Sequence, residues 1–128
     1  MSSQGRNSAF NASEAVLDAL AVNDALQAYR AVLQLSNDLA AVSANVLTQL
    51  VARAPESLPA GWDAFVAAVV EWRLLRAGVE PPRWVLDTVG SHSSWAPPVE
   101  VLPARAEHVP WSFYRRNLRI EEGELSSA

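Results

Sequence analysis

The chain has 128 residues, half of them hydrophobic, with 10 basic against 14 acidic residues and a formal net charge of −4. This length suits one domain with a sizeable core, since single domains most often contain roughly 100–150 residues. Cysteine and lysine are both absent, which excludes disulfides, cysteine-based metal centres and mechanisms that need a lysine. Because only two histidines remain as soft ligands, we expect no metal and no cofactor.

The N-terminal residues 1–10 are polar and lack the apolar segment of a secretory signal, so we interpret them as a flexible arm. The longest apolar stretch, residues 64–70, is far shorter than the roughly 20 residues that span a membrane. We therefore expect a soluble, cytoplasmic protein. Its predicted organisation is a single helical domain over residues 11–122, followed by a short acidic tail over 123–128.

The first predicted element is a long helix. Asn11 and Glu14 have the spacing of a capping box, and neither glycine nor proline occurs from there to Ala54. Apolar residues recur at helical spacing throughout this stretch. The pattern favours one helix of about 40 residues, and two helices that break near 36–38 are the alternative.

A second helix is predicted from Trp62 to Ala77, ending at Gly78, because glycine commonly terminates helices in a left-handed conformation. Arg73 and Arg76 lie in its last turns, where they complement the helix dipole. Apolar residues occupy almost its whole circumference. This distribution predicts a central core helix; a face covered by a second molecule is the alternative.

The chain after Gly78 contains six of the eight prolines, which exclude long helices there. We predict short helices over 82–89, 110–114 and 121–127, a loop at 90–94 and an extended segment at 117–120. Three tryptophans of this half are predicted to anchor it on the helices: Trp84, Trp95 and Trp111. The predicted fold class is all-α, a helical bundle or long helical hairpin with a Pro/Trp-rich irregular C-terminal half.

Residues suited to catalysis are few. His92 lies in a loop between serines, and His108 has no partner that the sequence reveals. Neither a Gly-x-Ser-x-Gly nucleophile elbow nor the Glu-x-x-His spacing of a di-metal site is present. We therefore expect that the protein is not an enzyme and has no catalytic residues.

Arginine is concentrated near the C-terminal end, where Arg115, Arg116 and Arg119 follow Tyr114. The simplest interpretation is a closing segment with its apolar residues inward (Phe113, Leu118 and Ile120) and its arginines outward, paired with Glu121, Glu122 and Glu124. The alternatives are contact with a protein partner, and binding of nucleic acid, which the acidic total charge disfavours.

The C-terminal residues also carry a resemblance. The pattern comprises Pro82-x-Trp84, Trp95 with Pro97, the run Val109-Pro110-x-x-Phe113-x-Arg115-Arg116-Asn117-x-x-Ile120, and Leu125-x-x-Ala128. Over about residues 82–128 it resembles small uncharacterised actinobacterial proteins, many of which look like antitoxin-side partners of nucleotidyltransferase toxins. This chain has Tyr114 where those proteins usually have a further arginine. The resemblance implies a binding partner and supplies no catalytic residue.

The function expected from the sequence is a non-enzymatic protein-interaction module, with the antitoxin or neutralising partner of a bacterial toxin–antitoxin or defence pair as its specific form. One alternative is a structural homo-oligomer built on the long helix, and another is a nucleic-acid-binding regulator that uses the arginine cluster. We predict that the partner-binding residues are the tryptophan, tyrosine and arginine side chains of two segments: Trp72, Arg73 and Arg76, then Trp111, Tyr114, Arg115, Arg116 and Arg119.

Overall fold

The computed structural model describes residues 7–99 and 103–126. Within these residues the secondary structure consists of seven α-helices, one turn of 3-10 helix and an isolated bridge between Trp95 and Leu118. The predicted all-α fold class is confirmed. No helix in the described ranges is long and apolar enough to cross a membrane.

The N-terminal region folds as three helices instead of the predicted single helix. They are α1 (Ala9–Ala21), α2 (Ala25–Ala40) and α3 (Ala44–Val51). The alternative break near 36–38 is also wrong, because Ser36 and the residues beside it lie inside α2. Among these three helices, α1 packs most extensively against α2 and also contacts α3.

Side-chain caps explain where the predicted long helix breaks. The carboxylate of Asp24 accepts a hydrogen bond from the backbone N–H of Gln27, and Ser43 accepts one from Val46. The residue before Asp24, Asn23, has a left-handed backbone (φ 58°) that interrupts the helical hydrogen bonds. Asparagine, aspartate and serine can therefore end and restart helices without glycine or proline.

The first helix begins three residues before its predicted start, since the predicted cap is Asn11 and the observed cap is Ser8. Ser8 is the N-cap and accepts from the backbone N–H of Asn11, so Asn11 is not the cap. Residues 9 and 10 of the predicted arm are helical, while residues 1–6 lie outside the described residues. The predicted tail, 123–128, likewise contributes residues 123–126 to a helix.

The central element is α4 (Trp62–Arg76). Its residues from Ala64 to Trp72 are all buried, and it contacts helices on both sides in the sequence. The predicted core helix is confirmed, as is its end, since Gly78 has the left-handed backbone (φ 72°) expected beyond a helix C-terminus.

The remaining helices are short: α5 (Arg83–Asp87), α6 (Trp111–Tyr114) and α7 (Glu122–Ser126), with the 3-10 turn at Ala106–His108. Each α-helix lies within a segment predicted to be a short helix, whereas the 3-10 turn was not predicted. The predicted extended segment begins one residue late, because Asn117 adopts a left-handed turn (φ 62°).

Aromatic rings join this C-terminal region to the core. The ring of Trp95 packs against Trp62 and Phe65, with centroid distances of 5.4 and 6.0 Å. The indole Nε1 of Trp84 donates to the carbonyl of Val51 at 2.7 Å. Trp84 and Trp95 are thus anchors, whereas Trp111 is 64% exposed and anchors nothing in the core.

Candidate functional site

The core between α4 and α6 contains a buried carboxylate held by two arginines. The carboxylate of Glu71 accepts hydrogen bonds from Arg115 Nη2 at 2.9 Å and Arg116 Nη1 at 2.7 Å. Burial raises the pKa of Glu71, but the hydrogen bonds from Arg115 and Arg116 together outweigh that effect and place it below the usual value. The carboxylate is therefore ionised at neutral pH.

Arg116 also organises the backbone around it. Its guanidinium donates to the carbonyl oxygens of Val85 at 2.9 Å, Ser112 at 2.9 Å and Thr88 at 3.2 Å. Burial lowers the pKa of Arg116 from its usual value, an effect opposed by Glu71. One guanidinium thus joins α4, α5 and α6.

The burial of Arg116 contradicts the prediction that all three arginines point outward. Its side chain is 1% exposed, so a partner cannot reach it. The physical reason is the set of acceptors that surrounds it: the carboxylate of Glu71 on α4, and three backbone carbonyls at the ends of the short helices α5 and α6. Among the described residues, every buried side-chain nitrogen and oxygen has a hydrogen-bond partner.

The residues beside Arg116 form the exposed part of the site. Trp111 is 64% exposed and Tyr114 is 53% exposed. The guanidinium carbon of Arg115 lies 5.0 Å from the centroid of the Trp111 ring, and that of Arg119 lies 5.5 Å from the Tyr114 ring. We call these four residues, Trp111, Tyr114, Arg115 and Arg119, the α6 surface.

The α6 surface is positively charged although the chain is acidic. Glu71 supplies one negative charge against the two positive charges of Arg115 and Arg116. Arg119 donates its Nε–H to the hydroxyl of Ser94 at 3.2 Å and forms no salt bridge with any residue that the structure describes. The α6 surface therefore combines positive charge with two exposed aromatic rings.

The other predicted partner-binding residues contact other parts of this chain. Trp72 is buried beneath Arg73 and Arg76, whose guanidinium carbons lie 4.4 and 5.1 Å from its ring centroid. Arg73 donates to the hydroxyl of Ser36 and to the carbonyl of Leu125, and burial lowers its pKa. Arg76 forms a salt bridge with Glu122 at 3.5 Å.

Two glutamates near the C-terminal end, Glu121 and Glu122, pair with arginines other than those predicted for them. Glu121 binds Arg105 in a two-pronged salt bridge, with Nη2–Oε1 at 3.0 Å and Nε–Oε2 at 3.1 Å. Glu122 pairs with Arg76, and Glu124 accepts a hydrogen bond from the hydroxyl of Tyr29. Burial and this bond raise the pKa of Tyr29 well above its usual value.

Sequence reasoning missed a cavity of about 460 Å³ between α2 and the segment that leads into α7. Tyr29, Arg105 and Arg119 contribute to its walls together with Glu121 and Glu124. These residues are up to 95 positions apart, and no short motif connects them.

In comparisons with protein-family models, curated proteins and solved structures, none matches this chain. The geometry of the α6 surface and the cavity therefore supplies the basis for a functional interpretation.

Proposed function

We propose that this protein is a non-enzymatic interaction module that binds an acidic protein partner through the α6 surface. The observation that carries the proposal is the exposure of Trp111 and Tyr114 beside arginines, on a helix that Glu71 and Arg116 fix to the core. Tryptophan, tyrosine and arginine supply most of the strong contacts in protein interfaces. Because α6 is already held in place in the free protein, binding a partner costs little conformational entropy.

Charge complementarity supports an acidic partner. The excess of arginine over glutamate at the α6 surface attracts a negatively charged protein, while the rest of this acidic chain repels one. The few free positive charges do not suit nucleic acid, whose affinity grows with the number of phosphates neutralised. The homo-oligomer alternative loses its basis, because the long helix on which it depended is three helices.

The finer form of the proposal is that the partner is a toxin-like enzyme which the chain neutralises. This form rests on the C-terminal resemblance alone. It predicts that the chain inhibits the enzyme by occlusion and that Trp111 lies in the interface.

Site-specific photo-crosslinking identifies the partner. A photoreactive residue at position 111, and separately at 114, is expected to capture the same protein in cells of the source organism. The control places the photoreactive residue at Leu26, an exposed apolar side chain of α2 remote in sequence from α6. Capture at Leu26 with equal yield, or different proteins from positions 111 and 114, contradicts the proposed surface.

Binding is then measured with the purified partner. Trp111→Ala should weaken binding about thirtyfold, or about 2 kcal/mol, as expected for an interface hot spot. Leu26→Ala should change it less than about twofold. Unchanged binding by Trp111→Ala and Tyr114→Ala would exclude the α6 surface. Steeply salt-dependent binding of RNA or DNA at the same surface would favour the nucleic-acid alternative instead.

A further inference from the structure

The cavity beside α7 has the size and lining of a small-molecule site. Its volume of about 460 Å³ lies within the range of roughly 300–1,000 Å³ that is common for ligand pockets. Pro97, Pro103 and Ile120 give it apolar walls. The charged groups that face it decide which ligands it accepts.

The two glutamates of the cavity already have partners. Arg105 neutralises Glu121 through both guanidinium prongs and through its backbone N–H, which lies 2.8 Å from Oε2. These contacts lower the pKa of Glu121 to about 2. Glu124 accepts the hydroxyl hydrogen bond of Tyr29.

Arg119 is different, because its charge is not matched by an acid among the residues described. Its Nε–H is directed to Ser94, and its two terminal nitrogens form no hydrogen bond with the described part of the chain. A guanidinium offers these terminal N–H groups as a fork that fits the two oxygens of a carboxylate. Stacking on Tyr114 limits how far the fork can move.

We propose that this cavity binds a small monoanionic carboxylate with an apolar body, held at its two oxygens by the terminal nitrogens of Arg119. Pro97, Pro103 and Ile120 contact the apolar body. Glu121 and Glu124 disfavour a second negative charge on the ligand, so the site selects a carboxylate over a phosphate dianion. The ligand site shares Arg119 with the α6 surface but does not require a protein partner, so its test uses the purified chain alone.

The test is an NMR titration of the full chain with phenylacetate. We expect saturable shifts at the Arg119 side-chain Nε–H and the Ile120 amide, with a dissociation constant of about 1 mM or lower. Phenylacetamide, the neutral analogue of the same shape, should bind about tenfold more weakly because it lacks the charge. Phenyl phosphate should also bind more weakly than phenylacetate.

Arg119→Gln should reduce phenylacetate affinity about tenfold. The control is Arg30→Gln, which removes an exposed arginine that is next to Tyr29 in sequence but outside the cavity lining; it should leave the affinity unchanged. Both variants should retain the wild-type amide spectrum away from the substitution.

Three results would overturn the proposal. They are an absence of shifts at about 10 mM phenylacetate, equal binding of phenylacetamide, and equal binding by the folded Arg119→Gln variant. Tighter binding of phenyl phosphate would also contradict the preference for a single negative charge.

Discussion

The helices before α4 and the segments after it are attached to α4 by different kinds of contact. The contribution of α1–α3 is a continuous set of buried apolar side chains, including Val16, Val32 and Leu35. The C-terminal segments add apolar residues too, but directed hydrogen bonds from arginine and tryptophan to backbone carbonyls position them. Short helices leave most of their carbonyls free, and long side chains satisfy those carbonyls.

This contrast teaches that the two regions should fail differently. An apolar core tolerates changes of shape and loses stability in proportion to the volume removed. Substitution of a hydrogen-bonded centre such as Arg116 removes several hydrogen bonds at once and leaves buried acceptors unpaired.

The largest expected effect is that of Arg116→Met. The substitution removes the buried positive charge that neutralises Glu71, together with the guanidinium that donates to three carbonyls. The free energy of unfolding should fall by about 3–5 kcal/mol. Arg115→Met is the matched control, because this partly exposed arginine binds the same carboxylate; its effect should be about 1–2 kcal/mol. Chemical denaturation measures both.

Hydrogen exchange locates the damage in Arg116→Met. Amides of α5 and α6 should exchange sooner than those of α2, because the variant removes the group that joins α5 and α6 to α4. Equal loss of protection in α2 would contradict the difference between the two regions.

The next effect is that of Leu35→Ala in α2. Leu35 is fully buried, and its truncation should lower the free energy of unfolding by about 3 kcal/mol through lost burial and a cavity. In contrast to Arg116→Met, protection should fall across the whole domain, since α2 contacts α1, α4 and α7. A loss confined to the amides of α2 would contradict this expectation.

A smaller effect is expected from Trp84→Phe. The substitution removes the indole N–H that reaches the carbonyl of Val51 from α5, so stability should fall by about 1 kcal/mol. Trp111→Phe is the control, because Trp111 is mostly exposed; its thermal midpoint should match the wild type. Equal shifts of the two midpoints would mean that the hydrogen bond contributes nothing.

The smallest effect concerns Arg105 and Glu121 at the surface. Glu121 has a pKa lowered from 4.5 to about 2 by Arg105, so any stability it contributes is present above pH 4.5 and is lost as the pH falls toward 2. Arg105→Gln should return the pKa of Glu121 toward 4.5, as measured by carboxyl NMR. Unfolding at neutral pH should change little, because exposed ion pairs contribute little. An unchanged pKa in the variant would exclude the pairing.

Local sequence determinants predicted the core helix well. Its apolar circumference and the glycine at position 78 are visible within one segment, and both have the expected roles in the structure. The breaks in the first predicted helix were missed because the apolar stripe keeps its phase across the cap residues Asp24 and Ser43. Periodicity reports which face is buried, whereas caps decide where the backbone stops.

The candidate site was harder to predict. Arg115 and Arg116 are adjacent and chemically identical, yet one is partly exposed and the other is buried. The difference depends on Glu71, about 45 positions earlier, and on carbonyls whose positions only the folded chain defines. Trp111 and Tyr114 were correctly placed on a short helix, but their exposure follows from which face of α6 packs on α4.

The contacts of α7 with α2 have a consequence for synthesis of the chain. Tyr29 donates a hydrogen bond to Glu124, and Ser36 donates one to the carbonyl of Leu125. These contacts of α2 can form only after residues 89 to 95 positions later have been synthesised. At about 5–20 residues per second, that interval lasts roughly 5–20 s. Throughout it the nascent chain presents an uncovered stretch of α2, which gives chaperones and binding partners access to a surface that the finished protein conceals.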